Sequence, residues 1–325
     1  MIRRLLDDVP TWARANSPVM RYELQKEQTG STFGVRLAAA AGQVILMVIL
    51  LGVSTLIATR LFTQPAGVTP TQGLWHILYL PTIGVQVMMS AILLLIGGHT
   101  VSTERRHQTW DHLRVTTTGA EQLLRVRLLA VFYRVRILFA LAYAARFAIL
   151  VTTLIEFPSY GGEYLTHLLN HAQGGPVSPL VGGVMVAAVL TAAFLLPLTQ
   201  SALDVALSLL LTTAIPNYPW SVMGQMVLVT VRMVSTIALS ILGLLILQGG
   251  LPNLPVPLVW VGVLGAAVLG DQGLLMMQIS QSGVVWEKLS YGILIGGAVL
   301  LLTLMQAAFA SLVLALAVRR AERTE

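Results

Sequence analysis

The chain has 325 residues, of which 56% are hydrophobic and only 10% charged, and its mean hydropathy is +0.79. That balance excludes an ordinary soluble domain of this length. No cysteine is present, which excludes disulfides, thiolate metal sites and thiol nucleophiles. The net charge of +6 comes from arginines at the ends of apolar blocks, so it speaks to topology and anionic lipid, not to nucleic acid.

Residues 1–35 form a polar lead-in without a removable signal peptide, because no apolar core of 7–15 residues precedes a small-residue cleavage site. Within it, "ANSPVMRYELQKEQTGS" carries helix punctuation: Ser17 suits the cap, Pro18 the first helical position and Gly30 the exit. Val19, Met20 and Leu24 share one side of that helix, which predicts an amphipathic element lying at the membrane surface. A plain solvated lead-in helix is the competing reading.

Residues 36–318 form the membrane domain, with spans expected at about 36–62, 75–98, 137–155, 180–211, 226–248 and 291–318. Each is close to the roughly 20 apolar residues that a helix needs to cross the hydrocarbon layer. Helices are expected because lipid offers no partner to backbone polar groups, and the strict alternation of a barrel strand is absent. A further stretch, 256–270, is short for a span and runs into Asp271 behind Pro252, Pro255 and Pro257. Residues 256–279, within an external segment 249–290, therefore read as re-entrant or packed at the interface. Pro197 predicts a kink in the fourth span.

Lys and Arg concentrate before span one, in the 99–136 segment after span two, and in the tail 319–325. Loops 63–74, 156–179 and 249–257 hold none. The positive-inside rule then gives six transmembrane helices with both termini cytoplasmic. The fold class expected is an all-α polytopic membrane protein.

Four ionisable residues fall in or near spans: Arg146, Asp204, Arg232 and Asp271. Charges at membrane depth are costly and are functional candidates by default. Arg146 is placed to pair internally, whereas Asp204 and Arg232 read as near enough to the cytoplasmic side to snorkel. A proton relay in a secondary transporter is one alternative role. In the outside loop, Glu163, His167 and His171 stand at i, i+4 and i+8, a spacing that can hold zinc; polar residues facing water is the plainer reading, and no metal site is expected. Small residues at Gly182, Gly183, Gly292, Gly296, Ala307, Ala308, Ser311 and Ala315 mark faces where helices can approach closely.

The segment "TERRHQTWDHLRV", 103–115, is the most polar between two spans. Ser102 or Thr103 can cap a helix running from Glu104, with Trp110 and Leu113 on one face and Arg105, Asp111 and Arg114 around them. Such a helix suits docking of an aromatic anchor into a partner's groove; resting against anionic headgroups is the competing reading.

Two stretches carry a family resemblance. "SPVMRYEL" at 17–24 resembles the N-P-x-x-R-x-E interfacial helix of permease subunits of type-2 ATP-binding-cassette (ABC) exporters, with Pro18, Arg21 and Glu23 at the matching positions. "ERRHQTWDHLRVTTTGAEQLLRVRLL" at 104–129 is similar to that family's pattern after its second span, through Glu104, Thr109, Asp111, Leu113 and Thr116. It departs at Gln108, Thr117 and Arg127, where the family usually has Gly, Pro and Lys. The resemblance implies an exporter permease in the bacterial inner membrane. In it, 104–116 would be a coupling helix seated on a separate ATPase subunit, with Arg105 and Trp110 in the contact, and a second permease subunit would complete a dimer. The chain is then no enzyme itself and binds no cofactor; ATP and Mg belong to the partner, consistent with the absence of any G-x-x-x-x-G-K-[ST] loop. A membrane scaffold docking some other cytoplasmic protein is the alternative.

Overall fold

The computed structural model describes Met20 and residues 70–106, 119–159, 179–215, 217–247, 255–277 and 294–323. Those residues are almost entirely helical, with no strand among them. In chain order they form α1 (Pro70–Arg106), α2 (Gly119–Arg134), α3 (Arg136–Ser159), α4 (Pro179–Ala214), α5 (Tyr218–Leu247), α6 (Val256–Gly265) and α7 (Ile295–Arg323). A π-helical turn, Ala266–Gly270, continues α6, and a 3-10 turn comes after it at Leu275–Met277.

Four helices have membrane-spanning length and apolarity: Ile77–His99 in α1, Gly183–Ala214 in α4, Tyr218–Ile246 in α5 and Ile295–Glu322 in α7. A fifth is counted when α2 and α3 are taken as one element bent by 61° at their junction. The expected first span, 36–62, lies outside the described residues. The others coincide with α1, α3, α4, α5 and α7, while α6 with its π turn is the short apolar helix that the prolines before it announce.

Helix α4 is the spine. Its most extensive packing is against α7, then against α1, and it also touches α2, α3 and α5. At one end Met89, Leu93, Leu124, Val131, Leu209 and Ala317 bring α1, α2, α4 and α7 into one apolar cluster. At the other, Val189, Leu196, Val263, Ala267 and Val299 join α4, α6, its π turn and α7. Met20 is itself helical and buried against Val126 and Ala130 of α2, on the apolar side expected of the lead-in helix.

Close approach of α7 to α4 depends on Gly296. A Cβ there would overlap the backbone carbonyl of Met185 and press on Val189. We expect Gly296→Leu to separate the two helices and cost at least the about 1–3 kcal/mol of an overpacked core, read as a fall in melting temperature in detergent. Elsewhere the described residues of that small-residue set do not mark a close helix contact within this chain. Gly183 faces open space, and Ala307, Ala308, Ser311 and Ala315 lie on the exposed side of α7, because its buried stripe is Val299, Gln306, Ala310, Val313 and Ala317.

A correction concerns the cytoplasmic segment. Helix α1 continues without interruption through Ser102 and Thr103 to Arg106, so no helix begins at Glu104. Glu104 and Arg105 are in the last turn of α1, and 107–118, with Thr109, Trp110, Asp111, Leu113 and Thr116, lies outside the described residues.

Candidate functional site: a polar core around a broken helix

Helix α6 and its π turn end inside the protein, and residues 270–277 are all buried. A helix that stops in an apolar interior leaves its last carbonyls without donors and presents a negative dipole end. The amide of Asp271 closes the turn on the Ala266 carbonyl at 3.0 Å, and the chain then reverses through Gln272 (φ 56°) and Gly273 (φ 81°). Gly273 is demanded twice, by its left-handed backbone and by Ala193 of α4, whose Cβ is 3.2 Å from where a side chain would begin. The Asp271 carboxylate organises the reversal: it accepts from the Gly273 amide at 3.0 Å, the Leu275 amide at 2.7 Å and the Tyr79 hydroxyl at 3.4 Å. It acts as a cap for the 3-10 turn.

Two arginines from neighbouring helices serve the orphan carbonyls. Arg146 of α3, fully buried, donates to the carbonyls of Gln272 at 3.0 Å and Asp271 at 3.4 Å. It also donates to the carbonyl of Ala193, and that bond has a cause in the sequence. Pro197 lies inside α4 and has no amide hydrogen, so the carbonyl four residues earlier, Ala193, loses its helical donor. The guanidinium replaces it, as neighbouring groups must when proline breaks a membrane helix. Gln86 of α1, with its amide oxygen turned inward, accepts from Arg146 at 2.5 Å, and Tyr143 donates to the next carbonyl of α4, Phe194, at 3.0 Å.

Arg232 of α5 does the same for the π turn, donating to the Leu269 carbonyl at 3.1 Å. Its guanidinium lies 3.3 Å from the carboxylate of Asp204 on α4, both side chains nearly or wholly buried. The snorkelling expectation is therefore corrected: Asp204 and Arg232 face each other in the interior, because α4 and α5 both continue well past them toward their shared turn. Gln200 donates to Asp204 at 3.2 Å, accepts from Gln306 of α7, and Gln306 in turn accepts from Thr199 at 3.0 Å. Ser90 of α1 also bonds the Asp204 carboxylate, while Arg232 Nη2 is buried without a hydrogen-bond partner among protein atoms, so the arginine keeps unused capacity.

Of the four charges singled out from the sequence, Asp271 lies in the reversal, Arg146 and Arg232 serve carbonyls of residues 269–272, and Asp204 joins them through Arg232. Charge alone does not single out Gln86, Gln200 and Gln306, although uncharged polar residues inside apolar runs are the same signal in weaker form. Among the described residues no group of three acids or histidines is placed to hold a metal; Glu163, His167 and His171 lie outside them, as do Pro18, Arg21 and Glu23.

The architecture defines a class, a helical bundle with several membrane-length helices around a buried polar core. Comparison with family models, curated proteins and solved structures finds no match for this chain.

Proposed function

We propose that the chain is the membrane permease subunit of an ABC exporter of the type-2 class, in the bacterial inner membrane. In this reading it has six spans, cytoplasmic termini and a re-entrant 256–279 segment, and works with a separate ATPase and a second permease. The observation that supports it best is the setting of α2. This helix comes directly after the motif-bearing stretch 104–118 and packs against α1, α4 and α7 and against Met20. At Val135 it turns by 61° into α3. A push on 104–118 that reaches α2 would act on three further helices and on Met20 at once, which is what a lever requires.

The test is co-purification of the intact complex. Glu104→Lys, Asp111→Lys and Trp110→Ala are expected to lower ATPase capture, the tryptophan by about tenfold or more as a buried aromatic anchor. Equal capture by all three variants would remove the coupling assignment. The buried Asp204 and Asp271 favour a second reading, a proton-coupled transporter. Substrate movement that survives ATP depletion but collapses with the proton gradient would select it.

A further inference from the structure

A separate feature lies where the end of α2 and the start of α5 meet the 95–99 stretch of α1. A cavity of about 360 Å³ opens between them. Its polar end holds His99, Arg134, Ser221 and Tyr218; its floor is apolar, with Leu95 and Met226. Among the described residues no carboxylate lines it.

Three independent observations point to an anion. Two cationic or protonatable side chains, His99 and Arg134, come from different helices. The 30-residue helix α5 begins at Tyr218, so the positive end of its dipole faces the cavity. The Ser221 hydroxyl is 2% exposed, lines the cavity, and has no hydrogen-bond partner within the protein. A buried hydroxyl without a partner is costly unless a ligand supplies one.

Other observations say that this anion has a tail. Leu95, Val222 and Met226 are 40%, 37% and 56% exposed, so the floor runs out sideways onto the surface that membrane-length helices turn to lipid. Trp220, 62% exposed, and Tyr218 sit at the same helix end, and such residues gather at the depth of the headgroups. Arg136, just past the bend, lies 4.5 Å over the Tyr133 ring and adds to the basic character of this end.

We propose that this cavity is a binding site for an anionic glycerophospholipid, with the phosphate held by Arg134, His99, Ser221 and the start of α5, and one acyl chain lying along Leu95, Val222 and Met226. The site is independent of the transport reading and rests only on membrane residence. By the distribution of Lys and Arg it faces the cytoplasmic leaflet. Its position at the hinge between α2 and α3 means that an occupied site ties α5 to the bend.

The test uses the full-length protein in neutral detergent, given mixed micelles of phosphatidylglycerol and phosphatidylcholine and read by native mass spectrometry. Wild type is expected to retain phosphatidylglycerol over phosphatidylcholine by about tenfold, because both lipids offer the phosphodiester but the choline cation is repelled by Arg134 and the positive start of α5. Arg134→Gln and Ser221→Ala should each lower that preference, and Arg134→Lys should keep most of it. Should Arg134→Gln not fold, Ser221→Ala and His99→Gln carry the comparison, each checked by size exclusion and by its lipid-free melting temperature. No preference in wild type, or an undiminished preference in the variants, overturns the proposal. Inorganic phosphate that displaces phosphatidylglycerol at millimolar concentration also overturns it, in favour of a soluble anion.

Discussion

Replacement of Arg146 by methionine is expected to be among the most damaging single changes in this protein. The side chain is fully buried and donates to three carbonyls on two elements, those of Ala193, Asp271 and Gln272. Methionine approximates its length but supplies no donor. The change strands the carbonyl freed by Pro197, two carbonyls at the end of the broken helix, and the Asp271 carboxylate beside them. Removing one member of a buried charged network costs about 3–5 kcal/mol. The measurement is reversible unfolding in mixed detergent, with Phe147→Ala as reference, since Phe147 is 58% exposed on the same helix and its loss should be nearly neutral there. A loss for Arg146→Met no larger than that of the reference would show that the carbonyls find other donors.

The second expectation concerns Asp204 and Arg232, where stability and activity should separate. Either Asp204→Leu or Arg232→Leu leaves the other charge buried, so each single variant should lose about 3–5 kcal/mol. The double variant removes both charges, and apolar replacement of a whole buried pair is often close to neutral. It should recover much of the loss, though not all, because Leu269 keeps a carbonyl that Arg232 served at 3.1 Å and Gln200 loses its acceptor. The singles sum to about 6–10 kcal/mol and the double costs less than either, so a double-mutant cycle should give a coupling energy of about 3 kcal/mol or more. If the pair serves only folding, the double variant works as well as it folds; if the pair, with the unused Arg232 donor, belongs to a transport path, it folds and does not transport. A coupling energy near zero would mean that the two groups do not interact in the membrane.

Much of this arrangement is legible in the residues alone. Run length yields the helices, since about 20 apolar residues permit little else in lipid. Pro197 announces a break in α4, and the prolines before Val256 announce an element too short to cross. Intramembrane charge picks out the four residues around the broken helix. What one sequence does not contain is who meets whom. The ring around residues 269–273 joins positions on α3, α4, α5 and the segment after α6, and that pairing is set by how the helices pack, not by any local pattern. The misplaced start at Glu104 has a local cause. Ser and Thr serve as caps but also sit inside helices with their hydroxyls turned back to the preceding turn, and a propensity difference of a few tenths of a kcal/mol cannot decide between the two.

The broken helix also fixes an order of events. Arg146 and Arg232 precede Val256–Gly270 in the chain, so both guanidinium groups are synthesised before the carbonyls they serve at the break. Until the half-helix arrives, Arg146 lacks two of the carbonyls it serves and Arg232 lacks one, while Asp204 of α4 already faces Arg232. Residues 269–273 thus join three helices that precede them, α3 through Arg146, α4 through Ala193 and α5 through Arg232. The polar core is complete only when α7, the last helix described, brings Gln306 to Gln200 and Thr199.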